Sequence, residues 1–139
     1  MTTFLQKATR DGVKVIVGNN NLPGSGECYF GLDNYEAGVN LAKLTLQEVN
    51  LGEVDHIVVY RAFIEGAPGG LVARGFLKAL DEAGVSYDKL KCSNEAVQDP
   101  SLAVLVLVSY LEANLKTRAF IVPGHGGITA FLGKILRNV

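Results

Sequence analysis

The sequence contains no tryptophan, one methionine and only two cysteines. Cys28 and Cys92 are too few for a set of metal ligands or for a dense disulfide framework. A free cysteine packs as a small apolar residue, so we interpret both as buried thiols. Cysteine usage therefore leaves the redox compartment open.

Charge is also scarce, because Asp, Glu, Lys and Arg make up 19% of the chain and the formal net charge is −1. This balance gives no field that attracts nucleic acid or an anionic membrane. The low charged fraction suggests apolar surface that is buried against something outside this sequence. No uncharged apolar run reaches the roughly 18 residues of a transmembrane helix. Residues 1–7 lack the pattern of a secretory signal, so we expect no signal peptide in this chain.

One stretch organises the rest of the chain. Tyr29 to Leu32 is aromatic or aliphatic around one glycine, which predicts a short buried strand. Asp33 and Asn34 follow, and both are good N-cap residues for a helix. Apolar residues then recur at the spacing of an amphipathic helix that closes near Asn50 and Gly52.

The same strand-then-helix unit recurs downstream. Strands are predicted at residues 13–17, 54–60, 85–92 and 118–122, the third of these broken by Asp88 and Lys89. Helices are predicted at residues 71–83, with Gly84 just after the end, at 100–115, with Asp99 as the cap, and at 128–137. Residues 4–8 are predicted to be the tail of a further helix. Alternating strands and helices predict a three-layer α/β/α sandwich around an open, mostly parallel sheet.

Ligands of open α/β sheets bind beyond the carboxyl ends of the strands. That rule selects four loops, at residues 18–21, 61–65, 93–98 and 123–127. They carry amides (Asn19, Asn20, Gln98), the carboxylate of Glu65, one arginine and the imidazole of His125. This inventory suits hydrogen bonding to a neutral polar ligand.

Catalytic interpretations are weaker. The glycine turn around His125 lacks the Lys-Ser/Thr of a phosphate loop, and His56 lies in a strand pattern as a packed residue. Ser25 lies between glycines but not on a strand-to-helix elbow. No metal site is predicted, because too few ligating side chains cluster.

Leu32 to Gly38, with Arg74-Gly75-Phe76 and Ala79-Leu80 downstream, resembles the type I periplasmic binding proteins of sugar ABC transporters. The ribose-binding branch is the most similar. The ordered motifs extend over nearly the whole sequence, in chains about twice as long whose two α/β lobes close over a sugar. The resemblance implies that residues 1–27 are the last helix, strand and crossover of the N-terminal lobe. Residues 28–139 are then the C-terminal lobe without its last elements.

The resemblance also implies positions for the ligand contacts. The family's sugar-binding Asp-Arg pair falls on Asn19 and Asn20, and its ligand-binding arginine falls on Val72. The aromatic before the later helix cap falls on Gln98, and the ligand asparagine falls beside His125. Asp33 and Asn34 are implied to be structural hinge residues.

A binding protein of this family is not an enzyme and needs no cofactor. Its partners are a sugar or related polar ligand and the permease of the transporter, and no nucleic acid is expected. The full-length parent is expected in the periplasm, or outside the cell on a lipid anchor. A single lobe offers half a site, so self-association of this chain is a further expectation.

Two alternatives share the fold. One is the effector-binding domain of LacI-type transcription repressors, which suits Asp33 to Gly38 and Arg74 to Phe76 nearly as well. The other is a small flavodoxin-like enzyme or response-regulator-like domain. It lacks an aspartate cluster at strand ends, a nucleophile with its base, and a phosphate loop.

Overall fold

The computed structural model describes residues 2–18, 28–53, 55–61 and 68–123, together with residues 131, 133 and 137. The helices are α1 (Thr2–Arg10), α2 (Asn34–Glu48), α3 (Pro68–Glu82), α4 (Asn94–Gln98) and α5 (Ala103–Ala113), with a single 3-10 turn at Pro100–Leu102. The strands are β1 (Ile16–Gly18), β2 (Cys28–Phe30), β3 (His56–Arg61), β4 (Tyr87–Lys91) and β5 (Thr117–Ile121). None of the helices in these ranges is long and apolar enough to cross a membrane.

The fold is α/β, with an open, all-parallel sheet of three strands in the order β4-β3-β5 and helices against it. Within the described ranges, the five predicted strands form two sheets rather than one, because β1 pairs only with β2. Strand pattern along a sequence does not specify which strands become neighbours. The division of the chain at residues 27 and 28 stays a prediction.

Each face of the three-stranded sheet has its own apolar core. Successive side chains of a strand point to opposite faces, so Ile57 and Val59 face one layer while Tyr60 faces the other. The first core joins Ile57 and Val59 to α2 and α3. The second core joins Tyr60 to α4 and α5. Its buried members are Tyr60, Ala96, Ala103 and Leu107.

Two helix ends follow from local sequence as predicted. The Asp33 carboxylate accepts hydrogen bonds from the N–H groups of Tyr35 and Glu36, both at 3.0 Å, and therefore caps α2. Gly84 has a φ of +66° just after α3, a conformation that favours glycine at the end of a helix. Both predictions are confirmed.

Three other predictions were wrong. Strand β4 runs unbroken through Asp88 and Lys89, because an edge strand tolerates polar side chains that stay in solvent. Residues 93–98 are not simply a loop, since Ser93 Oγ accepts the N–H of Ala96 at 3.1 Å and starts α4. The helix predicted from Pro100 has its predicted cap, Asp99, and Pro100 at its first position, but it begins with a 3-10 turn, and α5 ends at Ala113 rather than near residue 115.

The two cysteines also differ from expectation, since Cys28 is exposed and Cys92 is half-buried. Cys28 lies on a two-stranded sheet, which offers less cover than the larger one. The helix predicted at residues 128–137 lies outside the continuously described part of the chain.

Candidate ligand-binding edge

The carboxyl ends of the three parallel strands meet at one edge of the sheet. Arg61, the last residue of β3, pairs with Lys91, the last residue of β4. On the other side Val59 pairs with Ile121, the last residue of β5. The chain segments that follow these strands therefore all leave from the same edge.

The chain adds strands to the sheet first on one side of β3 and then on the other. From β3 the chain passes through α3 on the first face to β4, and from β4 it passes through α4 and α5 on the second face to β5. β3 and β5 are neighbours, and the connections that leave β3 and enter β5 lie on opposite faces. In open α/β folds, a crevice at such a switch point is where ligands bind.

The layer beneath this edge is buried and largely apolar. Tyr60 is fully buried one residue before the end of β3, and its ring lies 6.4 Å from that of Phe120. Burial raises the pKa of the Tyr60 hydroxyl, and a hydrogen bond with Cys92 raises it further. The Tyr60 hydroxyl is therefore neutral at physiological pH. Its buried ring supports the carboxyl edge of the sheet.

A second candidate surface lies at the carboxyl ends of β1 and β2. Gly18 and Phe30 are the last residues of their strands and pair with each other. Together with Gly31 and Leu32 they line an apolar depression of about 440 Å³. Phe30 is 82% exposed, an unusual position for a large apolar side chain. The sequence reasoning missed this surface, although a phenylalanine at a strand's carboxyl end was the available signal.

Polar groups also cluster at the opposite, amino-terminal edge of the three-stranded sheet. His56 Nε2 lies 3.3 Å from the Tyr110 hydroxyl and 3.2 Å from Thr117 Oγ1. The Tyr110 hydroxyl donates to the Asp88 carboxylate, and burial together with this bond raises the Tyr110 pKa. The prediction that His56 is a packed residue is confirmed. This cluster ties α5 to three strands, far from the edge that suits a ligand.

The sequence matches a family described as "Periplasmic binding protein domain" over residues 1–136. The chain belongs to this family. Among solved structures, it is similar to a periplasmic sugar-binding protein of an ABC sugar transporter from Legionella pneumophila, with 17% identity and a TM-score of 0.78. It is also similar to a periplasmic ribose ABC transporter protein from Conexibacter woesei, with 18% identity and a TM-score of 0.73.

Each alignment covers 99% of this chain, but only 50% and 46% of the two solved chains. The chain therefore spans about half the length of these binding proteins. At this level of identity the likeness establishes the fold. No curated protein matches the sequence significantly.

The two predicted hinge residues of this periplasmic binding protein domain lie at the start of α2. Asp33 is its cap, and Asn34 is buried, with 9% of its surface exposed. Asn34 Nδ2 donates to the carbonyl oxygen of Leu32 at 3.4 Å, which holds the turn between β2 and α2. Both residues therefore shape the connection between the two sheets, while a hinge role stays a prediction.

Two of the predicted ligand residues are described. Val72 lies in the second turn of α3, half-buried, and its carbonyl faces Gly38 of α2. Gln98 is the last residue of α4 and is exposed. Both belong to helices that follow carboxyl strand ends. The other four, Asn19, Asn20, Glu65 and His125, lie outside the described residues, and all six assignments stay predictions.

Proposed function

We propose that this chain is part of the solute-binding component of an ABC transporter for sugars or related polar small molecules. The family match over residues 1–136 is the observation that carries the proposal. The two solved relatives, a periplasmic sugar-binding protein and a periplasmic ribose ABC transporter, support the ligand class. The parent protein would bind its ligand between two lobes in the periplasm and deliver it to the transporter's permease.

The proposed ligand contacts are Asn19, Asn20, Glu65, Val72, Gln98 and His125. Each lies in sequence directly after a strand, or on a helix that such a segment enters. Amide, carboxylate and imidazole groups in segments that follow strands suit the hydroxyl groups of a sugar. The apolar depression beside Phe30 would offer a flat surface to the carbon face of a sugar ring.

The proposal includes no catalytic step. The family and the Legionella pneumophila relative are described as binding proteins, and the Conexibacter woesei relative as a periplasmic ribose ABC transporter. A LacI-type repressor domain, which shares the fold, is not favoured by these names. The formal net charge of −1 likewise offers nothing to nucleic acid.

A thermal-shift screen of this chain against monosaccharides, polyols and nucleosides tests the proposal. A ligand that binds only the native state must stabilise it, by about 2.7 kcal/mol at a hundred times its Kd. We expect one ligand class to raise the melting temperature. The Asn19→Ala and His125→Ala variants should lose that shift, while Lys43→Ala, on the exposed side of α2, should keep it. No shift with any class would contradict ligand binding by this chain.

We also propose that the chain self-associates through the β1–β2 sheet. Ile16, Gly18, Cys28 and Phe30 share one face of that sheet by register, and Ile16 is 70% exposed. Parallel sheets are ordinarily covered on both faces, so two strands with such exposed side chains are poorly protected. Light scattering should report a dimer or larger species, and Phe30→Asp should shift it toward monomer. A monomer at high concentration would contradict this proposal.

A further inference from the structure

A charged groove lies away from the ligand edge, between α3 and the edge strand β4, with Tyr35 of α2 beside them. It encloses about 340 Å³. Arg74, Lys78 and Asp81 line it from α3, at the spacing that places residues on one helix face. Tyr87 and Lys89 line it from β4, on the face that Tyr87 turns toward the first core. Nothing in the proposed ligand-binding function uses this groove.

The groove carries an excess of positive charge. Asp81 is the one carboxylate among the described residues that line it, and it already accepts the Tyr87 hydroxyl at 2.8 Å. Lys78 pairs with Glu82 one turn further along α3. Arg74 and Lys89 form no salt bridge with a carboxylate of the described residues, and Lys89 Nζ lies 5.3 Å from the centre of the Tyr87 ring. Two cations thus remain available to a partner's acidic groups.

Strand β4 forms one wall of the groove and lies at the edge of its sheet. It pairs with β3 on one side, and no described strand pairs with its other side. An unpaired edge offers backbone N–H and C=O groups to an incoming extended segment. Lys89 and Lys91 repel a second copy of this basic strand, since like charges directly opposite are destabilising. They favour an incoming segment that carries acidic side chains.

We propose that the groove between α3 and β4 docks an extended acidic segment of a partner protein. The segment's backbone would pair with the open edge of β4, and its carboxylates would meet Arg74 and Lys89. Leu77 and the rings of Tyr35 and Tyr87 give its other side chains an apolar floor.

A small anion such as phosphate fits this groove less well. The cations belong to two different elements, Arg74 and Lys78 to α3 and Lys89 to β4. The Asp81 carboxylate within the groove also repels a compact dianion, whereas an extended segment can place its charges away from it.

Fluorescence anisotropy with the whole chain and a labelled peptide of alternating glutamate and threonine tests the proposal. We expect saturable binding that weakens as salt rises, because the contacts are exposed ion pairs. Reversing both charges in Arg74→Glu/Lys89→Glu should weaken binding at least about tenfold, since two exposed pairs become repulsive. The control Lys43→Glu/Lys116→Glu makes the same change of net charge at exposed lysines outside the groove and should bind as the parent does.

Further outcomes decide the matter. The same peptide with N-methyl groups on alternate residues should bind more weakly, because it cannot pair fully with an edge strand. If both double variants lost the same peptide affinity, the effect would be one of net charge and the proposal would be overturned. An absence of peptide binding by the parent chain would also overturn it. Displacement by inorganic phosphate at constant ionic strength would reassign the groove to a small anion. None of these measurements uses a sugar, so their failure is separate from failure of the proposed transport function.

Discussion

Gly38 of α2 and Gly75 of α3 lie at one crossing of the two helices, each against the other helix's backbone. A Cβ atom added at Gly38 would lie 2.0 Å from the carbonyl oxygen of Val72. One added at Gly75 would lie 2.0 Å from the carbonyl oxygen of Tyr35. The two glycines of the family-like motifs therefore permit a close contact between helices rather than a contact with ligand.

Replacing either glycine by alanine should destabilise the fold. In an exposed helix this change would stabilise by about 1 kcal/mol, because alanine has the higher helix propensity. Here the added methyl group forces two backbones apart, so we expect a net loss of about 2–3 kcal/mol in Gly38→Ala and Gly75→Ala. Urea denaturation of each variant measures this loss.

The matched control is Gly52→Ala, whose added Cβ would meet only the Asp55 carboxylate at an ordinary 3.4 Å. Its free energy of unfolding should change little. The double variant Gly38→Ala/Gly75→Ala should lose less than the sum of the single losses, because helices that have already separated accept the second methyl group. Strict additivity would contradict a shared crossing.

The cap of α2 gives a second prediction. Asp33→Ala leaves the N–H groups of Tyr35 and Glu36 without their side-chain acceptor, at a cost of about 1 kcal/mol. Asp33→Asn keeps an acceptor oxygen at the same position and should retain most of the stability. Thermal denaturation compares the two, and equal losses would mean that the negative charge rather than the hydrogen bonds matters.

The polar cluster of His56, Asp88 and Tyr110 at the amino-terminal edge of the sheet gives a third prediction. Tyr110→Phe removes the hydroxyl that donates to Asp88 and lies beside His56 Nε2, and we expect a loss of about 1–2 kcal/mol. Tyr87→Phe removes a hydroxyl that bonds, among the described residues, only to the exposed Asp81, whereas the Tyr110 hydroxyl also lies beside the half-buried His56. Tyr87→Phe should therefore cost less than about 0.5 kcal/mol. Chemical denaturation of both variants checks the order, and a larger loss in Tyr87→Phe would contradict it.

Stability should fall in acid partly through Asp55. The Gly52 N–H at 3.0 Å, and then Arg118 Nε at 2.9 Å, hold the pKa of this carboxyl below its ordinary value of 3.8. A lowered folded-state pKa contributes stability that is present above the unfolded pKa and is lost as pH falls through the folded one. We therefore expect a loss that begins near pH 4 and continues below it.

Urea denaturation at a series of pH values measures this dependence. Asp55→Asn should be less stable at neutral pH and should lose less further stability in acid. Arg118→Gln should show a smaller change, because the hydrogen bond from Gly52 remains. An acid limb that Asp55→Asn leaves unaltered would exclude Asp55 as a contributor.

Much of the local structure could be predicted because its causes are local. Asp33 caps α2 through bonds to residues two and three positions away, and Gly84 ends α3 by its own backbone conformation. Strand β4 was misjudged because Asp88 and Lys89 are polar, and only the position of β4 at a sheet edge makes that composition acceptable. The sequence shows that the predicted site residues follow strands. It does not give the distances between them.

The sequence by itself determined the alternation of strands and helices, the helix caps and the family, since each depends on residue type and spacing along the chain. Only the tertiary structure decided which strands became neighbours, why Gly38 and Gly75 must lack side chains, and that α3 and β4 enclose a basic groove. The physical reason is that these features depend on contacts between residues far apart in sequence. The distances between such residues are set when the helices pack on the sheet, and no local sequence pattern predicts them.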